Sequence, residues 1–384
     1  MGFREELAAD AAALEGNGRL RILREIAPEG HGLCRYDGRE FLNFSSNDYM
    51  GIAADAELRR EFYAQYPDAA TPELALSSAS SRLLTGNTPA YVRLEEKLSA
   101  LYNRRAALVF NSGYHANIGI LPALSSDRDL ILSDKLNHAS IIDGMRLADA
   151  EFRRYRHLDC EQLEKILADR RAAYRRVFLV TESVFSMDGD AADLKKLVGL
   201  KKKYDCILVV DEAHSVGVRG PNGTGLSAEL GVADDIDILI GTFGKAFGST
   251  GAYAIMEPEV RTYLVNHMRP LIFTTGLPPA VLNWSCFVLD RCAKMDAERA
   301  KLRRMGSELR RLFGEKTVPG DSQIVPFLIG NDRESVERAE LFQRHGVLVF
   351  AIRPPTVPPN GARLRFSLSA ALPEESVAEL RRLV

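Results

Sequence analysis

The sequence predicts an α/β protein: a mostly parallel central sheet with helices on both faces, joined to a smaller α+β C-terminal domain and preceded by an N-terminal helical arm. Three observations lead there. Strand-sized apolar runs alternate with helical stretches from about residue 90, the alternation stops at Pro278-Pro279, and 384 residues exceed what a single hydrophobic core usually organises.

Taken in order, the first forty or so residues read as a helical arm entering a short hairpin around Asp37-Gly38. A helix is expected over 91–102, a strand over 106–110 and a helix over about 115–123. Further strands are expected over 130–132, 177–180, 207–210, 236–240 and 252–255, with helical stretches between several of them. Strands alternating with helices imply parallel pairing, because each crossover lays a helix on a sheet face. Beyond residue 278 comes a long helical region, about 280–313, then short strands and turns that include the proline-rich Arg353-Pro354-Pro355-Thr356-Val357-Pro358-Pro359. The expected division is therefore an arm over 1–45, a large domain over 46–278 and a small domain over 279–384.

Composition narrows the function. A net charge of −2 and a pI near 6.4 argue against nucleic-acid or membrane-surface binding, which needs a concentrated basic excess. The longest apolar runs are strand-sized, and Met1-Gly2-Phe3-Arg4-Glu5-Glu6 places acids where a signal peptide has a basic and then an apolar stretch. Five cysteines, odd in number, scattered and without CxxC spacing, fit reduced thiols and neither a disulfide framework nor a zinc site. A soluble cytoplasmic protein acting on small molecules is the expectation.

Ligands of such sheets sit outside the carboxyl ends of the strands, and the candidate residues are found there. After the run over 236–240 comes Gly241-Thr242-Phe243-Gly244-Lys245-Ala246-Phe247-Gly248. A lysine held at a sheet edge is partly desolvated, which favours its free amine and hence Schiff-base formation; on that residue alone, a solvated loop lysine is the alternative. The run over 206–210 ends in Asp211-Glu212-Ala213-His214. Asp211 can hold a pyridine nitrogen protonated, making the ring an electron sink, and His214 can donate to a ring oxygen; a helix cap is the competing role for Asp211. Asp-Glu-Ala-His also marks nucleotide-driven helicases, but those need an upstream GxxxxGK followed by Ser or Thr, and no such loop exists here.

Asn111-Ser112-Gly113-Tyr114-His115-Ala116-Asn117 turns a strand into a helix, so free N–H groups and the helix dipole favour an anion, with Gly113 admitting a phosphate closely and Thr242 adding a hydroxyl. His138, in Leu136-Asn137-His138-Ala139-Ser140, can lie flat on a planar ring, and Ser186, in Val184-Phe185-Ser186-Met187-Asp188-Gly189-Asp190, falls on the expected rim.

Together these motifs resemble the α-oxoamine synthases, a branch of the aspartate-aminotransferase-like pyridoxal-phosphate enzymes of fold type I. The resemblance runs from Leu42-Asn43-Phe44-Ser45-Ser46-Asn47-Asp48-Tyr49 to Ala362-Arg363-Leu364-Arg365. Within the branch, Val184 to Asp190, Thr242 to Lys245 and Ala351-Ile352-Arg353-Pro354-Pro355-Thr356-Val357-Pro358 are most similar to the members serving biotin synthesis. The resemblance implies pyridoxal 5′-phosphate as cofactor and condensation of an amino acid, L-alanine, with an acyl thioester, a pimeloyl thioester, releasing carbon dioxide and thiol. It makes Lys245 the Schiff-base lysine, Asp211 the partner of the pyridine nitrogen, His214 the donor to the ring oxygen and His138 the stacking residue. Ser186 stands beside the ring, and Gly113, Tyr114 and Thr242 surround the phosphate. Arg21, Asn47, Thr356 and Arg365 match substrate contacts, with Arg365 as the clamp on the carboxylate. Thr274 and Thr275, in Phe273-Thr274-Thr275-Gly276, match a segment reaching the neighbouring subunit's phosphate, which implies a homodimer with shared sites. Where relatives have a glycine-rich stretch, this chain has Leu76-Ser77-Ser78-Ala79-Ser80-Ser81-Arg82-Leu83-Leu84-Thr85-Gly86, so the resemblance does not extend to the shape of the acyl-chain entrance. Glycine-using acetyltransferase and serine-using long-chain acyltransferase chemistries, and a catalytically silent scaffold, remain alternatives.

Overall fold

A computed structural model describes residues 2–103 and 105–384, which fall into two compact units. The larger comprises residues 55–186 and 191–299, and the smaller residues 2–54, 187–190 and 300–384. The expected boundary at 278/279 lies inside the larger unit, at the start of a helix, Pro279–Cys292.

The larger unit is built on a seven-stranded sheet: β1 (Ala106–Phe110), β2 (Leu130–Asp134), β3 (Glu151–Tyr155), β4 (Val177–Glu182), β5 (Ile207–Asp211), β6 (Ile238–Thr242) and β7 (Ala252–Met256). Their spatial order is β1-β7-β6-β5-β4-β2-β3. Only β7 runs antiparallel to its neighbours, and the remaining pairs are parallel. Every residue of β2, β4, β6 and β7 is buried, as expected of strands covered on both faces. Helices Gly113–Leu124 and Ala139–Leu147 pack on each other, as do Cys160–Arg170 and Leu194–Tyr204. Ile120, Ile141 and Met145 enter the core with Ile131, Val180, Val209 and Ile240 of the sheet.

This order positions the site. The chain leaves β2 for β3 on one side, crosses back to β4, and proceeds to β5 on the other side. The carboxyl ends of β2 and β4 therefore flank a topological switch point, where open sheets leave a crevice.

Two expectations shift. The strand expected over 236–240 begins at Ile238, because Asp237 turns its carboxylate to the Leu208 N–H (2.7 Å) and closes the preceding turn. The long helical region expected over about 280–313 consists of two helices, Pro279–Cys292 and Asp296–Phe313. Buried Arg299 explains the break: its guanidinium donates to the carbonyls of Cys292 (2.7 Å) and Ala293 (3.1 Å), satisfying the end of the first helix.

The smaller unit carries the hairpin expected around Asp37-Gly38, with both residues at positive φ (49° and 70°) as a two-residue turn requires. Its strands Leu33–Tyr36 and Arg39–Asn43 join Ile26–Gly30 and Val347–Leu348 in one sheet, and Ile324–Gly330, Ala362–Ser367 and Ala351–Ile352 form another. Phe44, Phe313, Phe327, Phe342 and Phe366 pack edge to face or tilted over the second sheet. The N-terminal helix, Phe3–Gly16, buries no residue.

Candidate active site

Lys245 lies in a tight turn after β6, closed by hydrogen bonds from Gly248 N–H to the Lys245 carbonyl and from Ser249 N–H to the Phe243 carbonyl, both 2.9 Å. Phe243 and Phe247 are buried and anchor the turn. Gly217, at φ +80°, lets the chain following Asp211-Glu212-Ala213-His214 approach it, since a Cβ there would stand 2.6 Å from the Ala246 side chain. The lysine Nζ is 2.9 Å from Nε2 of buried His214.

Asp211 closes β5 with both carboxylate oxygens occupied. Oδ1 accepts the Ala213 N–H (2.9 Å) and Oδ2 accepts the Asn117 side-chain amide (2.8 Å). That amide also donates to Ser140 Oγ (2.9 Å), which is 2.7 Å from His138 Nδ1. A continuous set of hydrogen bonds thus links His138, Ser140, Asn117 and Asp211. Gly144 permits it by letting the two helices close, because a Cβ there would lie 2.3 Å from the Asn117 carbonyl. Burial pushes the His138 imidazole below its ordinary range; Asp211 opposes the shift and Lys245 adds to it.

At the anion cup, Ser112 caps helix Gly113–Leu124: its Oγ accepts the His115 N–H (3.2 Å) and its carbonyl the Ala116 N–H (3.1 Å). The first-turn N–H groups of Gly113 and Tyr114 are left at the helix's open end. Thr242 stands beside Gly113, where an added Cβ would come 4.0 Å from the threonine Cβ; its hydroxyl donates to the Gly251 carbonyl and accepts the Gly244 N–H. The Asn111 amide donates to Thr274 Oγ1 (3.2 Å) and to the Thr275 carbonyl (2.8 Å), so these threonines reach the cup of their own chain. The Tyr114 hydroxyl is directed away, to Asp143 (2.7 Å). Ser186 is half-buried in the loop after β4 that the Val184–Ala191 bridge closes.

The four substrate candidates lie in the smaller unit as two pairs. The Arg365 guanidinium donates to Asn47 Oδ1 (3.1 and 3.2 Å) and to the Tyr49 hydroxyl (3.3 Å), and Arg21 donates to Thr356 Oγ1 (3.0 Å).

Reading along the chain does not single out Asn117, Ser140 or Tyr49. Asn117 had a usable signal, since it stands four residues after Gly113 and so on the same helix face. Tyr49 is fully buried two residues from Asn47, and its hydroxyl donates to the Asn47 side chain (3.1 Å). Among the described residues no helix is long and apolar enough to cross a membrane.

Residues 39–383 match the family model described as aminotransferase class I and II. The chain is 51% identical over 383 residues to the 8-amino-7-oxononanoate synthase of Chlorobaculum parvum, covering 99% of this chain and 98% of that one. Among solved structures, the serine palmitoyltransferase of S. paucimobilis bearing a PLP–myriocin aldimine superposes with a TM-score of 0.86 at 28% identity, over 98% of this chain and 95% of that one. The 8-amino-7-oxononanoate synthase of Francisella tularensis superposes with a TM-score of 0.74 at 28% identity, over 89% and 96%. The chain belongs to the aminotransferase class I and II family, in the α-oxoamine synthase branch whose members these relatives are.

Proposed function

We propose that this chain catalyses the pyridoxal-phosphate-dependent, decarboxylative condensation of L-alanine with a pimeloyl thioester, giving 8-amino-7-oxononanoate, carbon dioxide and free thiol. The observation that carries the proposal is the convergence of Lys245 Nζ, His214 and a doubly hydrogen-bonded Asp211 at adjacent strand ends. The donor set fits the cofactor. A capped helix N-terminus with Gly113 and a neighbouring Thr242 suits a phosphate, a buried carboxylate suits a pyridinium, and an amine held by an imidazole suits an aldehyde.

When bound, pyridoxal phosphate supplies a ring that withdraws electrons from the α-carbon of an amino acid joined to it. Asp211, held by the Ala213 N–H and the Asn117 amide, would face the ring nitrogen and favour its protonated form. His214 orients the Lys245 amine, which receives the α-proton and later returns one. His138, kept neutral by burial, offers a flat uncharged face to the ring. Ser186 would stand beside the ring, and Gly113, Tyr114 and Thr242 would hold the phosphate, Tyr114 through its backbone. In the smaller unit, Arg365, aimed by Asn47 and Tyr49, is the fork for the amino-acid carboxylate, and Arg21 with Thr356 contacts substrate. The chain works as a homodimer, with Thr274 and Thr275 reaching the neighbouring subunit's phosphate.

Thiol release by purified protein with pyridoxal phosphate tests this. L-Alanine with pimeloyl thioester should exceed glycine or L-serine, and acetyl or palmitoyl thioesters, by at least about tenfold in kcat/KM. Preference for glycine with an acetyl donor, or serine with a long-chain one, would overturn the substrate assignment and leave the branch assignment standing.

A further inference from the structure

The reading above leaves Glu182 unused, although it ends β4 at the switch point. Glu182 is the register partner of Asp211 on the adjacent parallel strand, so the two side chains leave the same face of the sheet on strands about 4.8 Å apart. It is 2% exposed, and its Oε1 is buried with no hydrogen-bond partner. The backbone N–H of His138 lies near its carboxyl and favours the charged form. The Glu182 N–H donates to Asn137 Oδ1 (3.1 Å), and the Asn137 amide donates to Ser133 Oγ and the Val180 carbonyl, both 2.8 Å. The loop carrying His138 is therefore tied to the end of β4 through Glu182 and Asn137.

Two carboxyls side by side in a dry site do not both ionise, and the proton goes to the one whose charge is less well solvated. Asp211 accepts two N–H donors, whereas one Glu182 oxygen has none. We propose that Glu182 is a positioning residue that works as a neutral acid: it fixes the loop bearing His138 and, by keeping its own proton, spares Asp211 a second like charge beside it. Charge around it agrees. Burial and then the Asp211 charge push the Glu182 carboxyl up to about 8, Asp134 from the end of β2 pushes the same way, and Lys245 together with the His138 N–H opposes them.

The inference rests on the cofactor-site reading, and the experiment separates the two. With the cofactor-loaded enzyme, Glu182→Ala should lower kcat about ten- to a hundredfold, through displacement of the His138 loop, with a smaller change in the KM for the amino acid. Glu182→Gln keeps an oxygen near the His138 N–H without a titratable proton, and should recover kcat to within about threefold of wild type. The visible absorbance of the wild type should show a transition near about pH 8, where Glu182 ionises, and Glu182→Gln should lack it. A Glu182→Gln enzyme as poor as Glu182→Ala, or one that keeps the transition, overturns the inference. So does Glu182→Ala that loses thermal stability alone. If Lys245→Ala keeps the wild-type visible band, the underlying site reading falls instead.

Discussion

The strand-end cluster of the larger unit and the Arg365 cluster of the smaller unit solve different problems with similar parts. At Asp211, hydrogen-bond donors arrive from a following backbone N–H and from the Asn117 side chain on a helix, so the carboxylate is held in place by the fold around the strand end. At Arg365, a guanidinium is aimed by two side chains, Asn47 and the fully buried Tyr49. The first arrangement suits a group whose electronics must be tuned in place. The second suits a fork that must meet a ligand's carboxylate. Charge strength should therefore matter most in the larger unit and geometry in the smaller.

The largest expected effect is at the lysine. Lys245→Ala should lower turnover by at least about a thousandfold, since it removes the proton-transfer group, and should abolish the cofactor's lysine-bound visible band. An unchanged band would remove Lys245 from its role. Asp211→Asn keeps the shape but removes the charge and should cost about a hundred- to a thousandfold in kcat while retaining cofactor, measured by turnover and absorbance. Near-wild-type turnover would mean that charge is not what this strand end supplies. Arg365→Lys should act differently, raising the KM for the amino acid about tenfold with little change in kcat, because a point charge replaces a planar fork. A kcat effect larger than the KM effect would erase the contrast between the two clusters.

The smallest expected effect concerns stability. Glu212 is buried directly after Asp211, and desolvation raises its carboxyl to about 7 despite the Ser227 N–H at 2.7 Å. A raised carboxyl is still protonated in the folded chain where the unfolded chain has lost its proton. Its contribution is therefore fully present below the unfolded value and declines as pH rises through about 7. Glu212→Gln removes that dependence, so its Tm relative to wild type should be higher at about pH 8 than at about pH 5, measured by thermal melts of the apoprotein. A constant difference across that range would mean Glu212 is ionised in both states.

Much of this was readable along the chain, and the misses have identifiable causes. Apolar runs located β1, β2, β4, β5 and β7 because buried parallel strands are nearly continuous in hydrophobic residues. β3, Glu-Phe-Arg-Arg-Tyr, escaped because it is an edge strand, charged where it meets water. The break after Cys292 escaped because the agent, Arg299, reads as an ordinary helix-surface arginine until its donors are seen on the carbonyls of the preceding helix. The division into units also follows space more than order, since residues 2–54 and 187–190 cluster with 300–384.

The sequence by itself determined that a lysine, an aspartate, two histidines and a glycine turn each follow a strand, because local chemistry and strand order are written in one dimension. Only the tertiary structure decided which of them meet. The pairing of Glu182 with Asp211 depends on the register of β4 against β5. The path from His138 to Asp211 through Ser140 and Asn117 depends on two helices closing over Gly144. Register and close packing are set by the sum of many weak contacts across the sheet and between helices, so no single stretch of the chain carries them.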